Sequence, residues 1–268
     1  MANKLTPWER MELIRHKDRP TIRDYIPLLF EDFIELHGDR SFGDDGAILG
    51  GIASLGGTAV TVIGQVKGRT LEENKASNFA MPHPEGYRKA LRLMKQAEKF
   101  RRPVLCFIDT PGAYCGVAAE ERGQGEAIAR NLLEMMKLRT TILSVVLGEG
   151  GSGGALALGV CDRLFMLENA LYSVISPRGF ASILWKNAEL EKEAANMMRI
   201  TAEDLMGFGV ADEIIPESPG GAHRSPEYTA KNIRQALQKS LCQFQQLDID
   251  IQLQNRYSKF RKIGAFTE

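Results

Sequence analysis

The stretch TILSVVL-GEGGSGG-ALALGV, residues 141–160, decides the fold class of this chain. Thr141–Leu147 is an apolar run of strand length, and Gly148–Gly154 contains five glycines. A helix is predicted to begin in Ala155–Val160, because small and apolar residues follow the turn without a further break. A buried strand, a tight turn and a helix in this order are the repeating unit of α/β folds.

The rest of the chain repeats this alternation of strands and helices. Runs rich in β-branched or apolar residues predict strands at Ala59–Val66, Val104–Ile108, Leu164–Leu167, Tyr172–Ile175 and Ala211–Ile215. Helical spacing or a capping serine predicts helices at Pro84–Phe100, about Ala118–Leu138, after Ser176-Pro177, and at Pro226–Phe244. Gly38–Gly57 is rich in glycine and has loop chemistry at Asp44-Asp45-Gly46. The pattern predicts one domain over residues 1–268, with a short helical N-terminal segment at about 1–36 that Pro20 and Pro27 interrupt.

Composition disfavours several classes of function. The chain has 268 residues with 34 basic and 34 acidic side chains, so no net charge attracts nucleic acid or an anionic membrane. No apolar run approaches the ~18 residues of a membrane span, and the polar start, Met1–Arg15, does not resemble a signal peptide. None of the four cysteines forms a CxxC pair or has a histidine at metal-ligand spacing. We therefore expect a cytoplasmic protein with no membrane, nucleic-acid or metal site.

The glycine turn matches a dinucleotide-binding motif only in part. Gly148, Gly150 and Gly153 fit GxGxxG, and Glu168 follows at about the required distance. Glu149, however, would place a carboxylate beside the pyrophosphate. A phosphate-binding P-loop is excluded, because Gly154 stands where that motif needs lysine.

A serine nucleophile is a second interpretation of the same turn. Gly150–Gly154 fits GxSxG, with Ser152 between a strand and a helix. Asp204 or Asp212, followed by His223, would supply the acid and the base in the order of such hydrolases. The glycine-rich loop around His223 gives no reason for it to meet Ser152. Because serine often caps helices, we favour a capping or turn role for Ser152.

A third interpretation uses the backbone of the turn. The first N–H groups of a helix have no intrahelical partner and, with the helix dipole, favour negative charge. Such donors can stabilise an oxyanion, each contributing about 2.7–4 kcal/mol in other enzymes, and a missing Cβ would let a substrate carbonyl approach. The alternative is that the glycines only permit tight packing between helix and strand. The sequence leaves both open.

Several longer motifs resemble one family in order and spacing. They are Phe79–Met94, Asp109–Tyr114, Ala119–Gln124, Gly148–Ala155, Tyr172–Pro177, Ala181–Lys186 and Gly220–Arg224. Together they resemble the carboxyltransferase alpha subunit of bacterial multisubunit acetyl-CoA carboxylase, over about residues 20–260.

The resemblance implies a crotonase-like α/β fold, a spiral of ββα units, and transfer of a carboxyl group from carboxybiotin to acetyl-CoA to give malonyl-CoA for fatty acid synthesis. It implies an active site shared with a beta subunit in an alpha2beta2 assembly, zinc only on that subunit, and no cofactor bound tightly by this chain. Biotin carboxylase and the biotin carboxyl carrier protein, which delivers carboxybiotin, are the further partners implied. It assigns the oxyanion donors to Gly153 and Gly154, and biotin-side contacts to Gly150, Gly151, Ser152, Ala155, Gly112, Ala113 and Tyr114.

Some residues depart from the family pattern. Cys115, Gly125, Arg178 and Phe180 stand where proline, serine, glutamate and a small residue are usual. Arg178 and Phe180 follow the Ser176-Pro177 cap, so their charge reversal and added bulk bear on the partner contact or the biotin cleft and leave the glycine turn untouched. The alternative functions are a stand-alone crotonase-fold enzyme acting on an acyl-CoA and a serine hydrolase using Ser152. We expect Ala181–Trp185 either to contact the partner subunit or to be an internal core helix.

Overall fold

The computed structural model describes residues 5–264 and contains one eight-stranded sheet. Its strands are β1 Glu31–Glu35, β2 Ile48–Leu55, β3 Thr58–Gln65, β4 Val104–Thr110, β5 Ile142–Gly151, β6 Arg163–Leu167, β7 Leu171–Ser173 and β8 Glu213–Ile215. The order is β1-β2-β3-β4-β5-β6-β8. The first three strands pair antiparallel and the others parallel. The short β7 pairs with the carboxyl-terminal end of β5, beyond the residues that pair with β6.

Helices cover this sheet. They are α1 Pro7–Ile14, α2 Ile22–Leu29, α3 Leu71–Ala76, α4 Pro84–Lys99, α5 Val117–Glu121, α6 Gln124–Lys137, α7 Ser152–Leu156, α8 Pro177–Leu184, α9 Glu191–Met197, α10 Ala202–Gly207, α11 Pro226–Phe244 and α12 Ile249–Lys262. The predicted helix at Pro84–Phe100 is confirmed as α4, and the apolar face that its period predicts is buried. The helix predicted at Pro226–Phe244 is confirmed as α11. No helix in the described part of the chain is long and apolar enough to cross a membrane.

The core lies around the two central parallel strands. Every residue of β4 is buried, and so is every residue of β5 except Glu149. Continuous apolar strands of this kind are typical of parallel strands that are covered on both faces. Cys106 lies here with no exposed surface, as expected of a small core residue. The prediction of an α/β protein is confirmed.

The N-terminal predictions need correction. The helical segment ends at α2, and residues 31–35 form β1 instead. Pro27 does not interrupt α2 but lies inside it. Within the glycine-rich stretch Gly38–Gly57, Asp44–Gly46 is a loop as predicted, but the stretch also contains all of β2, which was not predicted. Gly51 of β2 lies against the Phe33 ring and the Ile34 carbonyl of β1. A Cβ at Gly51 would lie 2.6 Å from a ring atom of Phe33, so these glycines permit close packing rather than marking a loop.

The long helix predicted at about Ala118–Leu138 is two helices. Gly123, between α5 and α6, has φ +80°, which is outside the range of a right-handed helix. The predicted start after Ser176-Pro177 is confirmed, because the Ser176 hydroxyl accepts the Gly179 N–H at 3.1 Å and caps α8. Helices α3, α9, α10 and α12 were not predicted.

Candidate functional site

The glycine stretch is half strand and half helix. The sequence predicts a turn over Gly148–Gly154, but β5 continues to Gly151 and α7 begins at Ser152. The extra strand residues pair with β7, with Gly150 opposite Tyr172 and Gly151 opposite Ser173. The helix predicted in Ala155–Val160 therefore begins three residues early and ends at Leu156.

Most glycines of this stretch are required by packing. A Cβ at Gly148 would lie 2.8 Å from Asp109 Oδ1, and one at Gly150 would overlap the Tyr172 ring. A Cβ at Gly151 would overlap the Pro111 carbonyl. These three glycines thus serve tight packing, but of β5 against β4, β7 and the loop after β4, rather than the packing of helix on strand that the sequence suggested.

The glycines at the start of α7 differ from one another. A Cβ on Gly154 would lie 2.6 Å from the carbonyl carbon of Gly112 and 2.8 Å from Ala113 N. A Cβ on Gly153 would make only ordinary contact, 3.6 Å from Ile128 Cδ1. Gly154 therefore lets α7 approach a second turn, Gly112–Ala113, whereas Gly153 has room on its Cβ side. The expectation that both glycines admit a substrate through a missing Cβ is wrong for Gly154.

Two sequence motifs far apart in the chain thus form one site. The Gly112–Ala113 turn follows β4, and α7 follows β5, so both lie where neighbouring parallel strands end. Thr110 Oγ1 accepts the Gly112 N–H at 3.0 Å and fixes the turn. Among residues 5–264, the N–H groups of Ala113, Gly153 and Gly154 have no hydrogen-bond acceptor. The site therefore offers backbone donors from both turns.

Ser152 does not cap α7. Its side chain is exposed and makes no capping hydrogen bond, and its φ is +49°. Of the capping or turn role favoured from the sequence, the capping part is therefore wrong, whereas the left-handed φ at the junction of β5 and α7 agrees with a turn role. A left-handed serine between strand and helix is compatible with a nucleophile elbow, but that chemistry also needs a base in contact with the hydroxyl.

The other members of the postulated triad have different partners. Asp204 accepts the Thr201 hydroxyl at 2.7 Å, and Asp212 accepts the Leu164 N–H at 2.7 Å. The His223 ring stacks on His16, with ring centroids 4.1 Å apart. Burial, together with the charge of His16, lowers the pKa of His223. In the described part of the chain Ser152 therefore has no histidine as a hydrogen-bond partner, and the hydrolase loses its support.

The dinucleotide interpretation fails on geometry and charge. Gly148 and Gly150 lie within β5 rather than in a loop. The carboxylate of Asp109 lies directly against Gly148, and Glu149 adds a second acidic side chain. Glu168, the postulated ribose ligand, instead accepts the Glu217 N–H at 3.2 Å. A pyrophosphate in this position would meet two carboxylates.

An apolar cavity of about 490 Å³ opens beside α7. Ser152, Gly153 and Leu156 form one wall, and Tyr172, Val174 and Phe260 contribute to the others. Burial raises the pKa of Tyr172, so its hydroxyl stays neutral. Of the three donor residues, only Gly153 lines this cavity. A low-polarity wall beside a backbone donor strengthens the interaction of that donor with an anion.

Tyr114 belongs to a network that the sequence analysis missed. Its ring stacks on His83 with centroids 4.2 Å apart, and its N–H donates to the Pro82 carbonyl at 3.1 Å. His83 Nδ1 lies 2.8 Å from Asn78 Nδ2, which also donates to Asp45. The motif Phe79–Met94 contains His83 and was the available signal, although no spacing rule connects that motif to Tyr114.

Comparison with known proteins identifies the family. The family model described as acetyl co-enzyme A carboxylase carboxyltransferase-like matches residues 1–264. The carboxyltransferase alpha subunit from Clostridium botulinum (strain Eklund 17B / Type B) is 60% identical over 260 residues, covering 97% of this chain and 95% of the relative. The subunit from Geobacillus sp. (strain WCH70) is 61% identical over 262 residues, which cover 98% of this chain and 81% of that relative.

Solved structures with low sequence identity share the fold. Transcarboxylase 12S superposes with a TM-score of 0.65 at 18% identity, covering 83% of this chain, which spans 44% of the transcarboxylase chain. A chain of a Pseudomonas malonate decarboxylase hetero-tetramer superposes with a TM-score of 0.64 at 20% identity, covering 80% of this chain and 86% of the other. The predicted crotonase-like fold is confirmed. By its sequence relatives and its fold, the chain belongs to the family of acetyl-coenzyme A carboxylase carboxyltransferase alpha subunits.

Proposed function

We propose that this chain is the alpha subunit of an acetyl-CoA carboxylase carboxyltransferase, which moves a carboxyl group from carboxybiotin to acetyl-CoA and forms malonyl-CoA. The observation that carries the proposal is the joining of the Gly112–Ala113 turn to α7, which brings together three backbone N–H groups that have no acceptor among residues 5–264. One of the three residues, Gly153, also lines the apolar cavity. Family membership indicates which reaction the chain takes part in, and this geometry indicates which residues would take part.

The reaction requires stabilisation of negative charge more than a side-chain nucleophile. When the carboxyl group leaves the biotin nitrogen, negative charge develops on the ureido oxygen, and the acetyl methyl group must lose a proton to become a carbon nucleophile. The biotin nitrogen is the proton acceptor in our proposal, so atoms and charge balance without a protein base. Gly153 and Gly154 N–H groups would stabilise the ureido oxyanion. Gly150, Gly151, Ser152, Ala155 and the Gly112–Tyr114 turn would hold the biotin side.

The second stabilised anion, the acetyl enolate, needs a second set of donors. We place this second set on a crotonase-fold beta subunit, together with the zinc ion, so that one active site lies between two chains. Carboxybiotin then arrives on a carrier protein after biotin carboxylase has loaded it, and this chain binds no cofactor tightly. The expected compartment is the cytoplasm, and the four cysteines, all free thiols, fit a reducing environment.

Helix α8 provides a surface for the partner. Ala181 faces the core, but Ile183 and Leu184 are 57% and 61% exposed, so α8 is not an internal core helix. Phe180 and Trp185 pack edge to face with centroids 5.5 Å apart and support the exposed pair. Val174, 80% exposed, also lines the apolar cavity. A subunit that covers Val174 and α8 would therefore also close the site.

Co-purification tests the proposal. Tagged chain expressed with a zinc-ribbon beta subunit is expected to purify with it in a fixed ratio and to transfer carboxyl groups. A stand-alone acyl-CoA enzyme, the remaining alternative, would instead turn over a CoA ester as the purified chain and gain nothing from the second subunit.

A further inference from the structure

Gln65, the last residue of β3, is a polar side chain inside the core. It has no exposed surface, although its strand is otherwise rich in β-branched residues. Burying a primary amide costs free energy unless its donors and acceptors find partners. Gln65 Oε1 accepts the Asp109 N–H at 3.1 Å, and Gln65 Nε2 donates to the Gly154 carbonyl at 2.8 Å. One partner can only donate and the other can only accept, which fixes the orientation of the amide.

The bond to Gly154 replaces one that the helix does not make. In a regular α-helix the Gly154 carbonyl would accept the N–H of residue 158. Here the Leu158 N–H donates to Ala155 at 3.1 Å, because the chain tightens where α7 ends. Gln65 supplies the donor that this tightening removes, and so it holds the first turn of a helix that is only five residues long.

The bond to Asp109 reaches the other half of the site. Asp109 lies near the end of β4, three residues before the Gly112–Ala113 turn, and its carboxylate accepts the Glu149 N–H at 2.9 Å. A single buried amide therefore connects β3, the end of β4 and α7. The Ala113 donor lies in the turn that follows β4, and the Gly153 and Gly154 donors lie in α7.

We propose that Gln65 is a positioning residue for carboxyl transfer, whose amide sets the first turn of α7 in register with the Gly112–Ala113 turn. This inference rests on the proposed function, because it assigns Gln65 to the donors that act on the biotin side. Gln65 touches no substrate in this account. It acts through the Gly154 carbonyl and the Asp109 N–H.

Replacement of the amide by leucine or by glutamate tests the role. Gln65→Leu removes both bonds, and kcat of the assembled enzyme is expected to fall about tenfold to 100-fold with little change in KM, since a misplaced donor costs the chemical step more than binding. Gln65→Glu can restore both bonds only when its carboxyl group is protonated and donates to Gly154. Its kcat relative to the native enzyme is therefore expected to rise as the pH falls, whereas that of Gln65→Leu is expected to stay low.

The charged and titratable groups around this position are common to all variants. They are Asp109 on β4, Lys67 after β3 with Nζ 3.7 Å from Asp109, and the neighbouring Arg19, Glu217 and Tyr25. The native enzyme and Gln65→Leu have these groups without a carboxyl group at residue 65, so their pH profiles show what these groups contribute by themselves. A rise seen only in Gln65→Glu is thus a property of residue 65.

Asn131 is the matched control. It is also fully buried, and its amide donates to the Ala157 carbonyl at 3.2 Å, three residues after Gly154. Asn131→Leu and Asn131→Asp are expected to lower thermal stability with kcat within about twofold of native. The assay is carboxyl transfer from malonyl-CoA to a free biotin derivative, with the beta subunit present and with melting temperature recorded for each variant.

The outcomes separate this inference from the proposed function. Native kcat in Gln65→Leu, no pH-dependent rise in Gln65→Glu, or equal loss of kcat in the Asn131 variants would each overturn the positioning role. Gly153→Pro, measured in the same assay, reports on the donors themselves. If that variant is inactive while Gln65→Leu is normal, only the inference about Gln65 is wrong. If Gly153→Pro is fully active, the donor assignment fails, and the inference about Gln65 fails with it.

Discussion

Gly153 is the residue at which backbone chemistry and packing can be separated. A methyl group there would lie 3.6 Å from Ile128 Cδ1, in ordinary contact, so Gly153→Ala keeps both the fold and the N–H. Proline is tolerated in the first turn of a helix but has no N–H. We expect Gly153→Ala to retain most of the carboxyl-transfer activity and Gly153→Pro to lose about 10²–10³-fold in kcat.

The comparison needs both variants in the assembled enzyme, with circular dichroism to verify folding. Equal activity in the two variants would show that the Gly153 N–H does not take part. Gly154 is not suitable for this test, because any side chain there meets the backbone of Gly112 and Ala113. A loss of activity in a Gly154 variant would report on packing as much as on chemistry.

Ser152 distinguishes carboxyl transfer from hydrolysis. Among residues 5–264 its hydroxyl has no base as partner, and the φ of +49° is also unfavourable for a serine. We expect Ser152→Ala to keep kcat within about tenfold of native, since no step uses the hydroxyl as a nucleophile. A fall approaching the ~10⁶-fold that follows removal of a nucleophilic serine would restore the hydrolase interpretation.

At the level of elements, Gly123 explains why two helices stand where one was predicted. Its φ of +80° places it in the left-handed region, and a Cβ would have free space, 3.8 Å from Glu126 Cβ. Replacement by alanine should therefore destabilise the protein only through the unfavourable left-handed backbone conformation. We expect Gly123→Ala to lower the free energy of unfolding by about 1–2 kcal/mol.

Gly125, two residues later within α6, is the control. A Cβ there would meet nothing within 4 Å, and its backbone is helical. Gly125→Ala should raise the free energy of unfolding by about 0.5–1 kcal/mol, because alanine loses less conformational entropy than glycine in a helix. Denaturant unfolding of both variants measures the difference, and a Gly123→Ala protein as stable as the native one would contradict the account of the helix break.

The elements also show where sequence patterns inform and where they fail. Long periodic segments such as Pro84–Lys99 were predicted correctly, because an amphipathic face is encoded within one segment. Strand β2 was missed, because its glycines admit side chains of other elements: Gly50 lies against Leu93 of α4, and Gly51 lies against Phe33 of β1. Likewise, the extent of β5 depends on pairing with β7, which no local pattern reports. A glycine-rich stretch is therefore compatible with a loop and with a crowded strand, and its composition alone does not distinguish the two.

For the whole molecule, family motifs predicted more than local chemistry did. Local chemistry left three interpretations of Gly148–Gly154 open, and only the fold showed that most of these glycines serve packing. The resemblance led to the crotonase-like fold, and the family is confirmed. Gln65 lay beyond either approach, because tertiary structure brings its partner Gly154 to it. His83 lies within the family motif Phe79–Met94, but only tertiary structure shows its contact with Tyr114.

Assembly through α8 can be tested at the surface. Leu184 is 61% exposed on α8, and Leu133, 53% exposed on α6, is the matched control. We expect Leu184→Glu to weaken binding of the beta subunit by at least tenfold, because a charge would be buried against an apolar partner, and to leave the melting temperature of the isolated chain unchanged. Leu133→Glu should bind normally. Equal affinities for both variants, measured by calorimetry, would place the interface elsewhere.

The central claim is that the active site is completed only by two chains. It is tested most directly by measuring carboxyl transfer from malonyl-CoA to a biotin derivative for the isolated chain, for the isolated beta subunit, and for an equimolar mixture. The account predicts no transfer above background by either chain alone and full activity in the mixture, because each chain contributes one set of oxyanion donors. Equal activity of the isolated chain and of the mixture would contradict it.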